Sequence, residues 1–244
     1  MKYWAIIPAA GVGRRMQSDI PKQYMPLHGR PVIEHTVQRL AQIPVIEKII
    51  IAVSSGDPYW ENLIFDVTTP IQRVDGGEER CHSVLNALNL LQSEAEPTDW
   101  ILVHDAARLC VRPSDIETLI NTLAEHPVGG LLAFPVRDTM KRSTSDADVI
   151  QTVERADLWH ALTPQMFRFA ELHQALIEAV SGGHLVTDEA GAIEQAGKQP
   201  KLVEGHADNI KITRPEDLEL AAFYLRQQNQ QGEISYAAEW DDGG

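Results

Sequence analysis

Three cations follow closely on a loop with almost no side-chain bulk. In Pro8-Ala9-Ala10-Gly11-Val12-Gly13 nothing exceeds valine or proline in size, and Arg14, Arg15 and Lys22 come just after it. Ahead of the loop, residues 4–7 form a short apolar run of buried-strand length. A strand end, a loop whose backbone can approach a ligand, and a group of cations together suit a polyphosphate. Backbone N–H groups hold phosphate oxygens, and the cations neutralise their charge.

The common nucleotide motifs do not describe this loop. A Walker A sequence closes with Gly-Lys-Ser/Thr, which is absent here. The dinucleotide fingerprint needs a third glycine where Met16 stands, and it needs an acidic residue after the second strand. Val53 instead leads into Ser54-Ser55-Gly56. Further charges recur beyond apolar runs: Asp105 and Arg108 in His104-Asp105-Ala106-Ala107-Arg108, and Lys211 and Arg214 further on. Taken singly, each is as easily an ordinary surface charge or a turn cap. Placed together after strands, they form a set able to bind anions.

The elements that must position these residues alternate. The continuous apolar run at 49–53 reads as a strand covered on both faces, and 71–74, 100–103 and 129–134 read as further strands. Between them, apolar spacing predicts helices over 31–42, from 57 onward through Trp60, Leu63 and Ile64, over 83–91 and over 113–125. Such alternation specifies an α/β domain with a largely parallel sheet and helices on both faces. Ligands in these sheets gather beyond the carboxyl ends of the strands. After Pro135 the rhythm changes. Short β-like stretches at 139–142 and 149–153 flank a polar turn, forming a hairpin arm over about 137–156 with too little apolar surface to stand alone. The arm either lies on its own domain or embraces a partner. Residues 159–167 return to the core. Helices are expected over 170–180, 188–196 (with Thr187 as N-cap) and 215–226, and a strand at 201–203. The domain is thus expected over 1–226, with 227–244 as a mobile polar tail.

Composition bounds the partners. A net charge of −14 argues against nucleic acid or a membrane surface. It also means that clustered cations serve a local purpose. No apolar run approaches membrane length, and MKYWAII enters a strand too soon for a signal peptide. Cys81 and Cys110 form no CxxC pair or disulfide framework. The expectation is a cytoplasmic, reduced protein. Its 244 residues leave no room for a second fused enzyme domain.

Pro8-Ala9-Ala10-Gly11-x-Gly13-x-Arg15-Met16 followed by Pro21-Lys22-Gln23 resembles the signature of the sugar-phosphate nucleotidyltransferases. Within them it is most similar to the 2-C-methyl-D-erythritol 4-phosphate cytidylyltransferase family of the non-mevalonate isoprenoid pathway. The likeness extends through His104-Asp105-Ala106-Ala107-Arg108, Pro135-Val136-Arg137-Asp138-Thr139-Met140-Lys141 and Ala207-Asp208-Asn209-Ile210-Lys211, from Ala5 to about Leu225. Four positions depart from the family pattern: Leu109 in place of a proline, Cys81-His82 in place of Ala-Asp, and Gly191 in place of a serine.

The resemblance implies a Rossmann-like nucleotidyltransferase fold and assigns roles. Arg15, Lys22, Arg155 and Lys211 would be catalytic. Pro8, Ala9, Ala10, Gly11, Gly13, Gly77, Glu78, Ser83, Asp105 and Ala106 would hold CTP, with Asp75 to Arg80 and Ser83 forming the base pocket. Arg108, Thr139, Arg155, Thr163, Thr187 and Lys211 would hold the methylerythritol phosphate. Mg²⁺ or another divalent ion would sit near Asp105 and Asp208. A homodimer exchanging arms would bring Thr139 and Arg155 to the neighbouring site. The implied reaction is transfer of CMP from CTP. The competing readings are a ribitol 5-phosphate cytidylyltransferase, which shares the glycine loop, and a non-catalytic CTP-binding module, which needs no cations on both sides of the α-phosphate.

Overall fold

The computed structural model describes residues 1–11, 16, 18 and 20–234. Its centre is a seven-stranded sheet. The strands entering it are β1 (Tyr3–Pro8), β4 (Ile46–Val53), β5 (Ile71–Asp75), β6 (Trp100–Val103), β7 (Gly129–Pro135), β10 (Trp159–Arg168) and β11 (Lys201–Glu204). Their spatial order is β11-β7-β10-β6-β1-β4-β5. Neighbours are parallel except β10, which runs antiparallel between β6 and β7. Two small hairpins stand apart from the sheet: β2 (Pro26–Leu27) with β3 (Arg30–Pro31), and β8 (Met140–Ser143) with β9 (Val149–Val153).

β1 shows why helices cover both faces. Successive strand side chains point to opposite sides. Ala5 and Ile7 pack with α1 (Val32–Ala41) and α3 (Pro113–Leu123), while Trp4 and Ile6 pack with α2 (Arg80–Leu91), α4 (Phe169–Ser181) and α5 (Glu189–Gln195). Every residue from Trp4 to Ile7 is buried, as a doubly covered strand requires. A third apolar cluster seats α6 (Glu216–Gln230) against Leu109, Cys110 and Ile212. Among the described residues, no helix is long and apolar enough to cross a membrane.

Four expectations need correction. Between residue 57 and β5 there is no α-helix, only a 3-10 turn at Trp60–Asn62. Leu63, Phe65 and Val67 are half-buried while Ile64, Asp66 and Thr68 are exposed, the period-two pattern of an extended segment. α2 begins at Arg80 rather than at Ser83, because Glu79 and His82 cap it reciprocally. The N-cap of α5 is Asp188, whose carboxylate accepts from the Gly191 N–H at 3.0 Å; Thr187 lies one residue outside. The polar tail does not begin at 227. α6 continues to Gln230, and Gln228 is buried, accepting from fully buried Arg39 at 2.6 Å. Glu233 then binds Ser114 at 2.9 Å, and Ile234 is buried. Residues 235–244 lie outside the described ones.

Candidate active site

β1, β4, β5 and β6 all run the same way, so the loops after them meet at one edge of the sheet. The first is the small-residue loop. Its Ala9 N–H donates to Ala52 O at 2.7 Å. Buried Gln23 donates to the carbonyls of Ala9 at 2.6 Å and Gly11 at 3.1 Å, and Ser54 donates to that of Ala10 at 2.9 Å. These bonds fix the backbone and account for a glutamine after Lys22. Lys22 itself donates through Nζ to Ile212 O at 3.0 Å, which ties it to the C-terminal loop. Gly13, Arg14 and Arg15 lie outside the described residues.

The second loop, after β5, packs directly on the first. A Cβ on Gly76 would stand 2.5 Å from the Ala10 Cβ and 2.9 Å from the Ser83 Oγ, so only glycine fits there. The Ser83 hydroxyl accepts from the Gly77 N–H at 3.1 Å and donates to Glu79 O at 3.3 Å. It therefore shapes the loop, and a contact to a base would have to replace the longer of these bonds. His82 accepts from the Glu79 N–H through Nδ1 at 3.4 Å. This is an acceptor role that an aspartate could also fill, so His82 preserves the loop despite the departure in sequence.

The third loop, after β6, is held from beneath. His104 is fully buried; its Nε2 faces Arg108 O at 3.0 Å and its Nδ1 faces the Thr163 Oγ1 at 2.8 Å. A carbonyl can only accept, so Nε2 carries the proton and Nδ1 accepts from Thr163. Burial pushes the His104 pKa down to about 4, which keeps this neutral form. Thr163 also accepts from the Asp105 N–H at 3.1 Å. Its hydroxyl thus positions the loop, while the residue also walls the smaller cavity where the expected substrate contact would be made.

Asp105 is the centre of an ion cluster. Its Oδ1 lies 3.0 Å from Arg80 Nε, and its Oδ2 lies 2.8 Å from Lys211 Nζ and 3.4 Å from Arg108 Nε. Arg80 also makes a bidentate pair with Glu189, at 2.6 and 3.0 Å. Burial alone would raise the Asp105 pKa. Arg80, Lys211 and Arg108 outweigh it and hold the carboxyl well below the usual range. Arg80 is likewise held charged: burial opposes its charge, but Glu189 and Asp105 prevail.

Two cavities meet at this cluster. One, of about 270 Å³, carries Pro8, Ala9, Ala10, Gly11 and Lys22 on one wall and Gly77, Glu78, Ser83, Asp105 and Ala106 on the other. A smaller one, of about 180 Å³, is walled by Arg108, Thr163 and Thr187. Arg80, Asp105 and Lys211 line both. Neither wall includes Thr139 or Arg155. Both are exposed at the base of the arm, where the Arg155 guanidinium donates to the Arg137 carbonyl. Glu189 and Gln23 are not among the site residues expected from sequence, and Arg80 is expected only as part of the base-pocket loop. The signal for Arg80 was its place in the loop ahead of Ser83; for Glu189 the sequence offers none.

A divalent ion can be tested against these donors. Among the described residues, no three His, Cys, Asp or Glu side chains converge on a metal position. Mg²⁺ seldom needs such a cage, taking one or two carboxylates and the oxygens of a substrate phosphate. Asp105, on both cavity walls, fits that requirement. Asp208 lines neither cavity: its Oδ2 accepts from Arg112 at 2.6 and 3.0 Å and from Gln228 at 3.1 Å, while its Oδ1 is buried with no hydrogen-bond partner among the described residues.

Residues 3–227 match the family model described as "IspD: 2-C-methyl-D-erythritol 4-phosphate cytidylyltransferase". A Vibrio cholerae protein bearing that enzyme name is 53% identical over 221 residues, covering 91% of this chain and 95% of its own. A Pseudomonas syringae protein of the same name is 51% identical, covering 92% and 94%. The crystal structure of the Francisella tularensis enzyme of that name superposes with a TM-score of 0.80 at 38% identity, covering 92% of this chain and 100% of its own. With a family match over nearly the whole chain and relatives above half identity, this chain belongs to the 2-C-methyl-D-erythritol 4-phosphate cytidylyltransferase family.

Proposed function

We propose that this enzyme transfers CMP from CTP to 2-C-methyl-D-erythritol 4-phosphate in non-mevalonate isoprenoid precursor synthesis. The products are 4-(cytidine 5'-diphospho)-2-C-methyl-D-erythritol and pyrophosphate. The observation that carries the reading is the meeting of two cavities at Asp105, Lys211 and Arg80. The larger suits the nucleotide and the smaller a short polyol phosphate, so the α-phosphorus of CTP belongs at their junction.

The acceptor phosphate is already an anion, so proton removal contributes little. An acceptor oxygen attacks the α-phosphorus in line, forming a new P–O bond. The bond to the bridging oxygen breaks, and pyrophosphate leaves with the electron pair. The protein must align two polyanions and stabilise the charge growing on the α-phosphoryl and leaving oxygens. Lys22 serves this from the triphosphate side and Lys211 from the acceptor side. Arg15 is assigned to the triphosphate with them. Mg²⁺ entering with the triphosphate would be held on the protein side by Asp105 and would neutralise phosphate charge.

The acceptor wall of one chain is completed by Thr139 and Arg155 of another in this reading, through a homodimer that exchanges arms. Its support is the exposure of Met140, Val149 and Ile150 on the arm. The buried free thiols of Cys81 and Cys110 suit the reducing cytoplasm where we place the enzyme. Pyrophosphate release from CTP and Mg²⁺, compared with methylerythritol phosphate and ribitol 5-phosphate as acceptors, tests the assignment. Release with the first alone supports it. Release with the second alone moves the protein to another acceptor, and CTP binding without release leaves only a binding module.

A further inference from the structure

Glu189 has no part in the chemistry above, yet it is fully buried and spends both carboxylate oxygens on one arginine. It lines neither cavity, so it acts only through Arg80. Its place is rigidly set. Asp188 caps the helix that Glu189 begins, and buried Gln165 braces both neighbours, donating to the Asp188 carboxylate at 2.8 Å and accepting from the Ala190 N–H at 2.7 Å.

The guanidinium divides its edges. Nη1 and Nη2 hold Glu189, and Nε at 3.0 Å holds Asp105 Oδ1. A planar fork spans two carboxylates in this way, and an ammonium does not. Lys211 holds the other oxygen of Asp105, but its side chain is 37% exposed against 22% for Arg80, and only the arginine is also pinned by a buried carboxylate. The arginine is therefore the fixed partner of Asp105 and the lysine the movable one.

We infer that Glu189 is a positioning residue: by anchoring Arg80 it keeps the Asp105 carboxylate in place while Lys211 transfers from Asp105 to the substrate phosphates. Three cations meet two carboxylates in this cluster. Without the charge of Glu189, Arg80 is itself drawn to the incoming triphosphate, Asp105 loses its fixed partner, and Lys211 stays behind to hold it. CTP then binds as well as before, but the lysine is withheld from the step that needs it. The inference rests on the transferase reading of this site.

The test is steady-state pyrophosphate release by full-length Glu189→Gln and Arg80→Lys beside the wild type, with both substrates and Mg²⁺. For Glu189→Gln the expected result is a fall in kcat of about 10²-fold, the scale of a small misplacement of a reacting group. The KM for CTP is expected to stay unchanged or fall. Arg80→Lys keeps the charge but loses the fork, and a similar fall in kcat is expected because charge alone does not rescue it. If Glu189→Gln fails to fold by circular dichroism, Arg80→Lys decides the question. Wild-type kcat in a folded variant of either kind overturns the inference, as does a loss expressed only as raised KM. An inactive wild type overturns the transferase reading itself, and the inference falls with it.

Discussion

Replacing Lys211 with alanine separates catalysis from stability at a single side chain. Its ammonium lies 2.8 Å from Asp105 Oδ2 and lines both cavities. In the folded protein without substrate, removal leaves Asp105 paired with Arg80 at 3.0 Å and Arg108 at 3.4 Å. The buried carboxylate is still compensated, so the large penalty for an orphaned buried charge does not arise. For a partly exposed lysine the expected loss of stability is about 1 kcal/mol or less. In the transition state the same group faces the charge growing where the two cavities meet, and losing such a contact costs about 10²–10³ in kcat. Pyrophosphate release and urea unfolding of the purified variant measure the two quantities. Activity within tenfold of wild type would refute the role of Lys211 at the reacting phosphate. A stability loss of several kcal/mol would refute the claim that Arg80 and Arg108 suffice for Asp105.

Lys22→Ala is expected to lower kcat far more than it raises the KM for CTP, because α-phosphoryl charge grows only in the transition state; steady-state kinetics decides, and a raised KM with normal kcat contradicts it. Gly76→Ala would drive a methyl into Ala10 and Ser83, separating the two nucleotide loops. A stability loss of about 1–3 kcal/mol by urea unfolding and weaker CTP binding by calorimetry are expected. Burial pushes His35 and His104 down to about 4, so the unfolded chain takes up their protons first as pH falls. Stability from these two groups is complete above about pH 6.5 and disappears between there and about pH 4, at about 3 kcal/mol each. Urea unfolding across that range should show the slope, and His35→Gln should reduce it.

The parts of this structure legible in the sequence are those with local causes. Strands covered on both faces are continuous apolar runs, and the helices between them show their apolar stripes, so the layered sheet and its loop edge follow from pattern alone. The nucleotide loops were legible because small residues and cations cluster within a few positions. What sequence hid depends on distant partners. Arg80 looks like one more loop cation until Glu189, 109 positions away, reaches it. Gln228 looks like tail until Arg39, 189 positions away, is found buried against it. Thr163 gives no sign in sequence that its hydroxyl also bonds His104 and Asp105. The 57–70 segment misled because Trp60, Leu63 and Ile64 imitate helical spacing, whereas the side chains that pack there alternate.

The central claim, that the α-phosphorus of CTP reacts where the two cavities meet, is tested most directly by following labelled CTP with methylerythritol phosphate and Mg²⁺. Label placed at the α-phosphate should appear in the cytidine diphosphate sugar product, and label at the γ-phosphate in pyrophosphate, in equal amounts. Transfer of the γ-label to the acceptor, or release of inorganic phosphate in place of pyrophosphate, would contradict the account.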